Sequence, residues 1–493
     1  MSIVMGVLKK LAGETAIYGL STILARIINF FFVPIYTRIL TLDQYGAYSE
    51  IMSYIAVLQV VLILGLETGC FKFANNTTDS NKPFSTALIT ISITSLLFFA
   101  ATAVFATPVA NVMGYSGYST TIIYVGAILA LDSITAVLFA RLRFQQKALK
   151  FAIFKTIKIL SELGFNLLLF FVVPKYIAAN PDTCLLNFIP ATVDFSYIIF
   201  AVFLSCVICT ILFIPDLFNI KLSFSKSLFK QMMVYSLPLM IAGLPGIINE
   251  GFDRLLFRFC APENVVWRED LGEYQAAVKL AVIMNLFIQM FRYAAEPFFF
   301  ARGKNKELLA KVMEYFTAFC MLIFLGVVLY IDIIGLILGK DFRGAIGTVP
   351  FMLISYMLLG ILFNVSMWYK LSGQTKYAIS ITLSGLAVTV AVNVIFMPIF
   401  SYWASVAAHI LSCIAMLLYS LHLGNKHYPI PYNWKQIGKY AFAALLIFAI
   451  AITIDNVLEM ELVYKLIVNT IFILLYLVAA VKISGGMGKL KEI

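Results

Sequence analysis

Long apolar runs separated by short polar breaks set the pattern of this chain. An α-helix rises about 1.5 Å per residue, so about 20 apolar residues cross a hydrocarbon core of about 30 Å. About fourteen runs of that size follow one another between residues 14 and 481, which predicts an all-α polytopic membrane protein. The first lies at 14–38, the fourth at 118–140, the fifth at 152–173, the seventh at 231–252, the eighth at 273–299, and the last two at 437–454 and 462–481. The longest polar breaks, 174–193 and 253–272, are too short to fold as domains of their own. Lys9 and Lys10 precede a first run that is long and lacks a small-residue cleavage site, so it reads as an uncleaved helix.

Composition agrees that the main solvent is lipid. Charged residues make up 12% of the chain and hydrophobic ones 62%, against about 25% charged for a soluble domain. Three His and seven Cys are scattered through apolar runs, so neither a disulfide framework, a metal site nor a cofactor is expected, and Cys206 and Cys209 read as helix packing. A net charge of +11 would suggest nucleic acid in a soluble protein; here it is a topology signal, and no nucleic-acid partner is expected. With the N-terminus inside, twenty-five of the 36 Lys and Arg fall on the inner side, eight on the outer and three within spans. That bias predicts an even number of spans, with both termini cytoplasmic.

Function is sought among the residues that lipid punishes, because a charge at a helix centre costs about 2.5 to 3.5 kcal/mol even on lenient scales. In the first span Tyr18, Thr22, Arg26, Asn29 and Tyr36 share one stripe, with Arg26 deep in the apolar run. The fifth span carries Lys155, Lys158, Glu162 and Asn166 at i, i+3, i+7 and i+11. The eighth places Asn285, Gln289, Arg292 and Glu296 on one face with Lys279 further along, and Asp132 sits in the middle of the fourth. Arg26, Asn29, Lys155, Lys158, Lys279 and Arg292 are therefore the candidate lining of a cationic cavity, with Asp132, Glu162 and Glu296 as counter-ions or ion-coupling groups. The structural alternative is a set of struts: Arg292 with Glu296 and Lys158 with Glu162, each at i+4, and Asp132 facing Arg26.

Helix bending is expected at Pro34 and at Pro238, Pro245 and Gly246, where missing N–H groups loosen the ladder. Those positions correspond if the chain is two halves of six spans, and faint repeats agree: Gly46-Ala47-Tyr48 matches Gly272-Glu273-Tyr274, and Tyr18-Gly19-Leu20 matches Tyr235-Ser236-Leu237. The expected organisation is an N-lobe over 1–220, a C-lobe over 221–430, and two further helices with a tail over 431–493. The lobes would relate by an axis along the membrane normal around a central cavity.

Several motifs carry a family resemblance. FFFVPIYTRILTLDQYG at 30–46 and LGLETGCFKFA at 64–74 are followed by YSLPL at 235–239, NEGFDR at 249–254, GKDFRGA at 339–345 and WYKLSGQTKY at 368–377. In order and spacing the chain resembles the polysaccharide transporters, or O-antigen-type lipid-linked oligosaccharide flippases, of the multidrug/oligosaccharidyl-lipid/polysaccharide flippase superfamily. A polar insert near Asn180 to Pro190 departs from the usual pattern. The resemblance implies a non-enzymatic protein that moves a polyprenyl-pyrophosphate-linked glycan, such as an O-antigen or capsular repeat unit, from inner to outer leaflet by alternating access. The bilayer, the lipid-linked glycan and glycan-assembly enzymes are the implied partners, and H+ or Na+ coupling is left open. Two rivals stand beside it. A multidrug antiporter of the same superfamily, exporting organic cations, would want acidic residues mid-membrane. A polysaccharide polymerase or membrane glycosyltransferase would want a large extramembrane loop with catalytic groups.

Overall fold

The computed structural model describes residues 23–24, 26–75, 79–302, 305–458 and 461–484, apart from some side chains within 242–250 and 294–302. Among the described residues it is entirely helical, and twelve helices are long and apolar enough to cross a membrane. Of the fourteen spans expected, the first lies partly outside the described residues, and the seventh coincides with a helix that has several undescribed side chains.

The helices gather into two compact units, Met1–Phe259 and Cys260–Ile493. In the first, α1 covers residues 26–39, followed by α2 (Leu42–Ile63), α3 (Leu66–Asn75), α4 (Asn81–Val104), α5 (Ala106–Val112), α6 (Ser119–Phe144), α7 (Ala148–Phe171), α8 (Val173–Ala179), α9 (Phe195–Phe218) and α10 (Lys226–Cys260). In the second come α11 (Trp267–Arg302), α12 (Lys306–Val328), α13 (Ile331–Ile334), α14 (Val349–Leu371), α15 (Tyr377–Phe400), α16 (Tyr402–His427), α17 (Trp434–Leu458) and α18 (Leu462–Ile483).

The motif residues of the first unit fix its joints. Thr41 and Gln44 form a capping box that starts α2: Thr41 Oγ1 accepts from the Gln44 N–H at 3.3 Å and Gln44 Oε1 accepts from the Thr41 N–H at 3.2 Å. Leu64 and Gly65 then turn left-handed, at φ 55° and 64°, breaking the long span into α2 and α3. The glycines of this motif let α10 come close. A Cβ on Gly65 would stand 2.5 Å from the Ser236 carbonyl oxygen, and one on Gly69 would stand 2.3 Å from Ser236 Oγ. One turn on, the Lys72 ammonium lies 3.7 Å from the centroid of the Tyr235 ring. LGLETGCFKFA and YSLPL are thus two sides of one contact.

Helix α10 stays helical through Pro238, Pro245 and Gly246, and α1 through Pro34. Pro238 withholds the N–H that the Val234 carbonyl would receive, so the ladder is open there without a break in the helix. The side chain of Pro245 lies outside the described ones. The polar insert is fastened down by backbone acceptors: Tyr124 donates to the Phe188 carbonyl and Tyr197 to the Pro190 carbonyl, both at 2.8 Å. Asp194 then caps α9, accepting from the Ser196 N–H at 2.8 Å.

In the second unit, the carboxylate of Glu273 accepts from the backbone N–H groups of Gly344 and Ala345 and so holds the 3-10 segment Lys340–Thr348 against α11. A Cβ at Gly344 would lie 1.9 Å from Glu273 Oε1, which explains the glycine in GKDFRGA. Trp368 of α14 donates to Ser420 Oγ at 3.2 Å with Gly424 beneath its indole, binding α14 to α16. The two last helices dock through polar clasps: Lys465 meets Asp332 at 2.5 Å and Asp455 at 2.6 Å, and Tyr476 donates to the Ala318 carbonyl at 2.9 Å. Their outward faces, with Phe442 and Val463 about two-thirds exposed, are apolar as hydrocarbon requires.

A test of the α3–α10 joint follows. Gly65→Ala meets both a left-handed backbone and a carbonyl oxygen that cannot swing away, so it should destabilise the protein by about 2 kcal/mol. Thermal unfolding in detergent should show a clear drop in midpoint, while an alanine at the open Gly164 position inside α7 should leave it the same or slightly higher.

Candidate functional site

Helix α7 brings the strongest polar stripe of the first unit into a cavity of about 330 Å3 bounded by α2, α3 and α6. Its charged lining comprises Glu67, Asp132, Arg143, Lys155 and Lys158, with Gln59, Phe139 and Phe151 beside them. Lys158, largely buried, donates to Asp132 Oδ1 at 2.5 Å, and Cys206 of α9 donates to the same oxygen at 3.3 Å. Arg143 meets Glu67 at 2.9 Å. Lys155 is half-buried and, among the described residues, makes no ion pair; its ammonium lies 5.0 Å from the centroid of the Phe139 ring. Three cations therefore face two carboxylates, and the excess charge sits on Lys155.

Further along α7 the stripe turns from charged to neutral. Asn166 is 1% exposed, its amide donates to the Glu162 backbone carbonyl at 2.8 Å, and its Oδ1 accepts from Tyr36 of α1 at 2.9 Å. The half-buried Glu162 carboxylate has neither an ion pair nor a hydrogen bond among the described residues. On α1, Arg26 and Asn29 are exposed, and Arg26 has no ion pair among the described residues.

In the second unit the α11 face is present, but its contacts differ from the i+4 expectation. Arg292 is exposed with its guanidinium 4.8 Å from the centroid of the Phe363 ring, and Glu296 accepts from Lys370 of α14 at 2.6 Å. Gln289 donates to Asn285 Oδ1 at 3.2 Å, and Lys279 is half-buried on the same helix. Both candidate acid partners on a helix's own face, Glu162 and Glu296, are thus passed over for acids or bases on a neighbouring helix, where the side chains meet end to end rather than lying along one cylinder. Asp132 faces Lys158 and Cys206, not Arg26. Among the described residues no His, Cys, Asp and Glu side chains converge in threes as a metal would need.

Sequence reasoning missed Gln59, Glu67 and Arg143 as cavity residues. Gln59 is the lone polar residue in an apolar stretch of α2, Glu67 lies within the motif LGLETGCFKFA, and Arg143 lies at the end of α6 among the inner-side cations. The Asp132–Lys158 pair also had a signal. The turn between α6 and α7 is only residues 145–147, so the helices run antiparallel as neighbours and residues at similar distances from that turn come level. Asp132 lies twelve residues before Phe144 and Lys158 ten residues after Ala148.

Comparison with known proteins places this architecture. The chain is similar in fold to an inward-facing multidrug resistance MATE family transporter of the MOP superfamily, at a TM-score of 0.56 and 15% identity, covering 81% of this chain and 97% of that one. A Vibrio cholerae MATE transporter gives a TM-score of 0.52 at 11% identity, covering 87% and 99%. A further MATE protein, in a straight conformation, gives 0.50 at 15%, covering 83% and 94%. No curated protein sequence matches the chain. The family pattern described as "Polysaccharide biosynthesis protein" matches residues 11–303, more than half of the chain and including the whole of α7 and α11. This multi-pass membrane protein therefore belongs to the polysaccharide biosynthesis protein family.

Proposed function

We propose that the protein is a flippase that moves a polyprenyl-pyrophosphate-linked oligosaccharide from the inner to the outer leaflet of a bacterial plasma membrane by alternating access, with both termini cytoplasmic. The observation that carries this reading is the imbalance of partners among the charged groups of the apolar helices. Arg26, Lys155 and Arg292 have no acid partner among the described residues, whereas Asp132 and Glu296 are each held by a lysine. Glu162 is an exception on the acidic side. Helices that expose cations and neutralise their own acids suit an anionic cargo, and family membership supplies the glycan.

In this reading Arg26 and Arg292 offer planar forks that match a phosphate edge by two parallel hydrogen bonds, while Lys155, Lys158 and Lys279 act as point charges. Asn29 supplies a neutral donor and acceptor for sugar hydroxyls. The lipid tail remains in hydrocarbon, so only the head group has to be stabilised. An inside-negative potential assists an outward-moving anion by about 2.3 kcal/mol per charge per 100 mV.

Two outcomes test this. Loss of a charge-assisted hydrogen bond of about 2 kcal/mol slows a step by about thirtyfold, so Arg26→Ala should lower translocation of a lipid-linked oligosaccharide in reconstituted vesicles by that order while the yield of folded protein is kept. Unchanged flipping by that variant would remove Arg26 from the mechanism. Cells overproducing the protein should show no gain in resistance to cationic dyes, and a clear gain would favour the multidrug antiporter instead.

A further inference from the structure

A second cavity, of about 210 Å3, lies wholly within the second unit, where the ends of α12 and α17 meet the start of α18. Most of its wall is hydrocarbon, including Phe448 and Ile452 of α17 and Pro350 of α14. Its polar part is small and unbalanced. Two carboxylates, Asp332 and Asp455, share the one ammonium of Lys465, each through its Oδ2, so the three groups together carry one negative charge. The Oδ1 atoms of both carboxylates have no donor among the described residues. Asn469 adds a third acceptor. It is 5% exposed, its Nδ2 is spent on the Leu329 carbonyl at 2.6 Å, and its Oδ1 has no donor among the described residues. That oxygen is not sealed in the packing, as Asn364 Oδ1 is, and the residue lines this cavity. An unmatched charge costs most in apolar surroundings, and a buried amide oxygen without a donor forfeits its hydration. One ligand group removes both costs. A primary ammonium brings one positive charge and three N–H donors to a site with one negative charge and three vacant acceptors. A quaternary ammonium brings the charge without a donor and is recognised by cages of aromatic rings, whereas Phe448 is the one ring among the lining residues. The wall indicates what carries the ammonium. Ile452 lines the cavity and is also 44% exposed on an apolar helix, so the cavity opens onto the surface that hydrocarbon covers.

We propose that this cavity is a binding site for an aminophospholipid, whose primary ammonium sits among Asp332, Asp455 and Asn469 while its acyl chains run along α17. The bound lipid completes the joint by which α17 and α18 dock on α12. Lys465 is a positioning residue that holds the two carboxylates together, and the acids and Asn469 touch the ligand. The site is apart from the α7 cavity and does not depend on what the protein carries.

Native mass spectrometry of the purified full chain reads the preference, after incubation with an equal mixture of phosphatidylethanolamine, phosphatidylcholine and phosphatidylglycerol bearing the same acyl chains. Phosphatidylethanolamine should be retained about tenfold over either of the others. Asp332→Asn should abolish that preference while the fold is kept, because Lys465 remains tied to Asp455. Ile452→Trp fills the mouth from a half-exposed position and leaves the clasp untouched, so it should lower retention of phosphatidylethanolamine to the level of the other two lipids. Equal retention of the three lipids by the unaltered protein, or a preference that survives both substitutions, would overturn the proposal. Free ethanolamine binding as tightly as the lipid in calorimetry would overturn it too, by making the cavity a site for a small soluble amine.

Discussion

The constraint on which this molecule turns is the cost of an uncompensated charge inside an apolar helix. At about 2.5 to 3.5 kcal/mol per group at a helix centre, a few such residues would consume the net stability of an ordinary domain, about 5 to 15 kcal/mol. The chain meets this cost in three ways. Lys158 and Lys370 are tied to Asp132 and Glu296 on neighbouring helices. Lys155 and Arg292 lie over the aromatic rings of Phe139 and Phe363. Lys465, near the start of α18, shares two carboxylates at once. All three arrangements hold helices in register, so the charges contribute to the architecture even where they also face a cavity.

The residues that mark the family by sequence are mostly joints. Gly65, Gly69 and Ser236 let α3 and α10 touch, and Glu273 with Gly344 seats a 3-10 segment on α11. A glycine at such a place is required by contact distance and by backbone angle, and its neighbours are required to offer a carbonyl or a carboxylate. Such a requirement fixes residue identity more tightly than cavity lining does, because several polar residues can meet a ligand through a shifted water or rotamer while only glycine fits a left-handed turn 2.5 Å from a backbone oxygen, as at Gly65. Family recognition therefore reads the scaffold, and the cargo has to be argued from charges that lie largely outside the motifs.

The same distinction explains what could be read from the sequence. The succession of long apolar helices was legible because membrane thickness dictates run length, and twelve of the fourteen runs expected are long, apolar helices among the described residues; the helical character of 152–173 and 273–299 follows from run length alone. The polar stripe on α7 was legible from periodicity, and Lys155, Lys158 and Asp132 do line one cavity. Its pairing was not read correctly. Spacing of four residues favours Glu162 for Lys158, but two side chains leaving one helix on parallel courses meet less directly than two approaching from facing helices, and Asp132 is level with Lys158 across the tight α6–α7 turn. Gln59 escaped notice because one amide in an apolar run has no periodicity; its amide donates to Ser133 Oγ and so joins α2 to α6.

Magnitudes decide between strut and site for the α7 lysines. Two unit charges 4 Å apart at an effective dielectric of 20 attract by about 4 kcal/mol, which offsets the insertion cost of one charged residue of about 3 kcal/mol. Lys158, closer than that to Asp132, is satisfied by its strut. Lys155 has the ring of Phe139 in place of a carboxylate, and a cation–π contact is worth about 0.5 to 2 kcal/mol. That contact alone is smaller than the insertion cost, so Lys155 is held less firmly than Lys158. Two lysines one turn apart on the same helix thus differ: the one whose charge is matched by a carboxylate ties α6 and α7 together, and the other has an aromatic ring of α6 in place of a carboxylate.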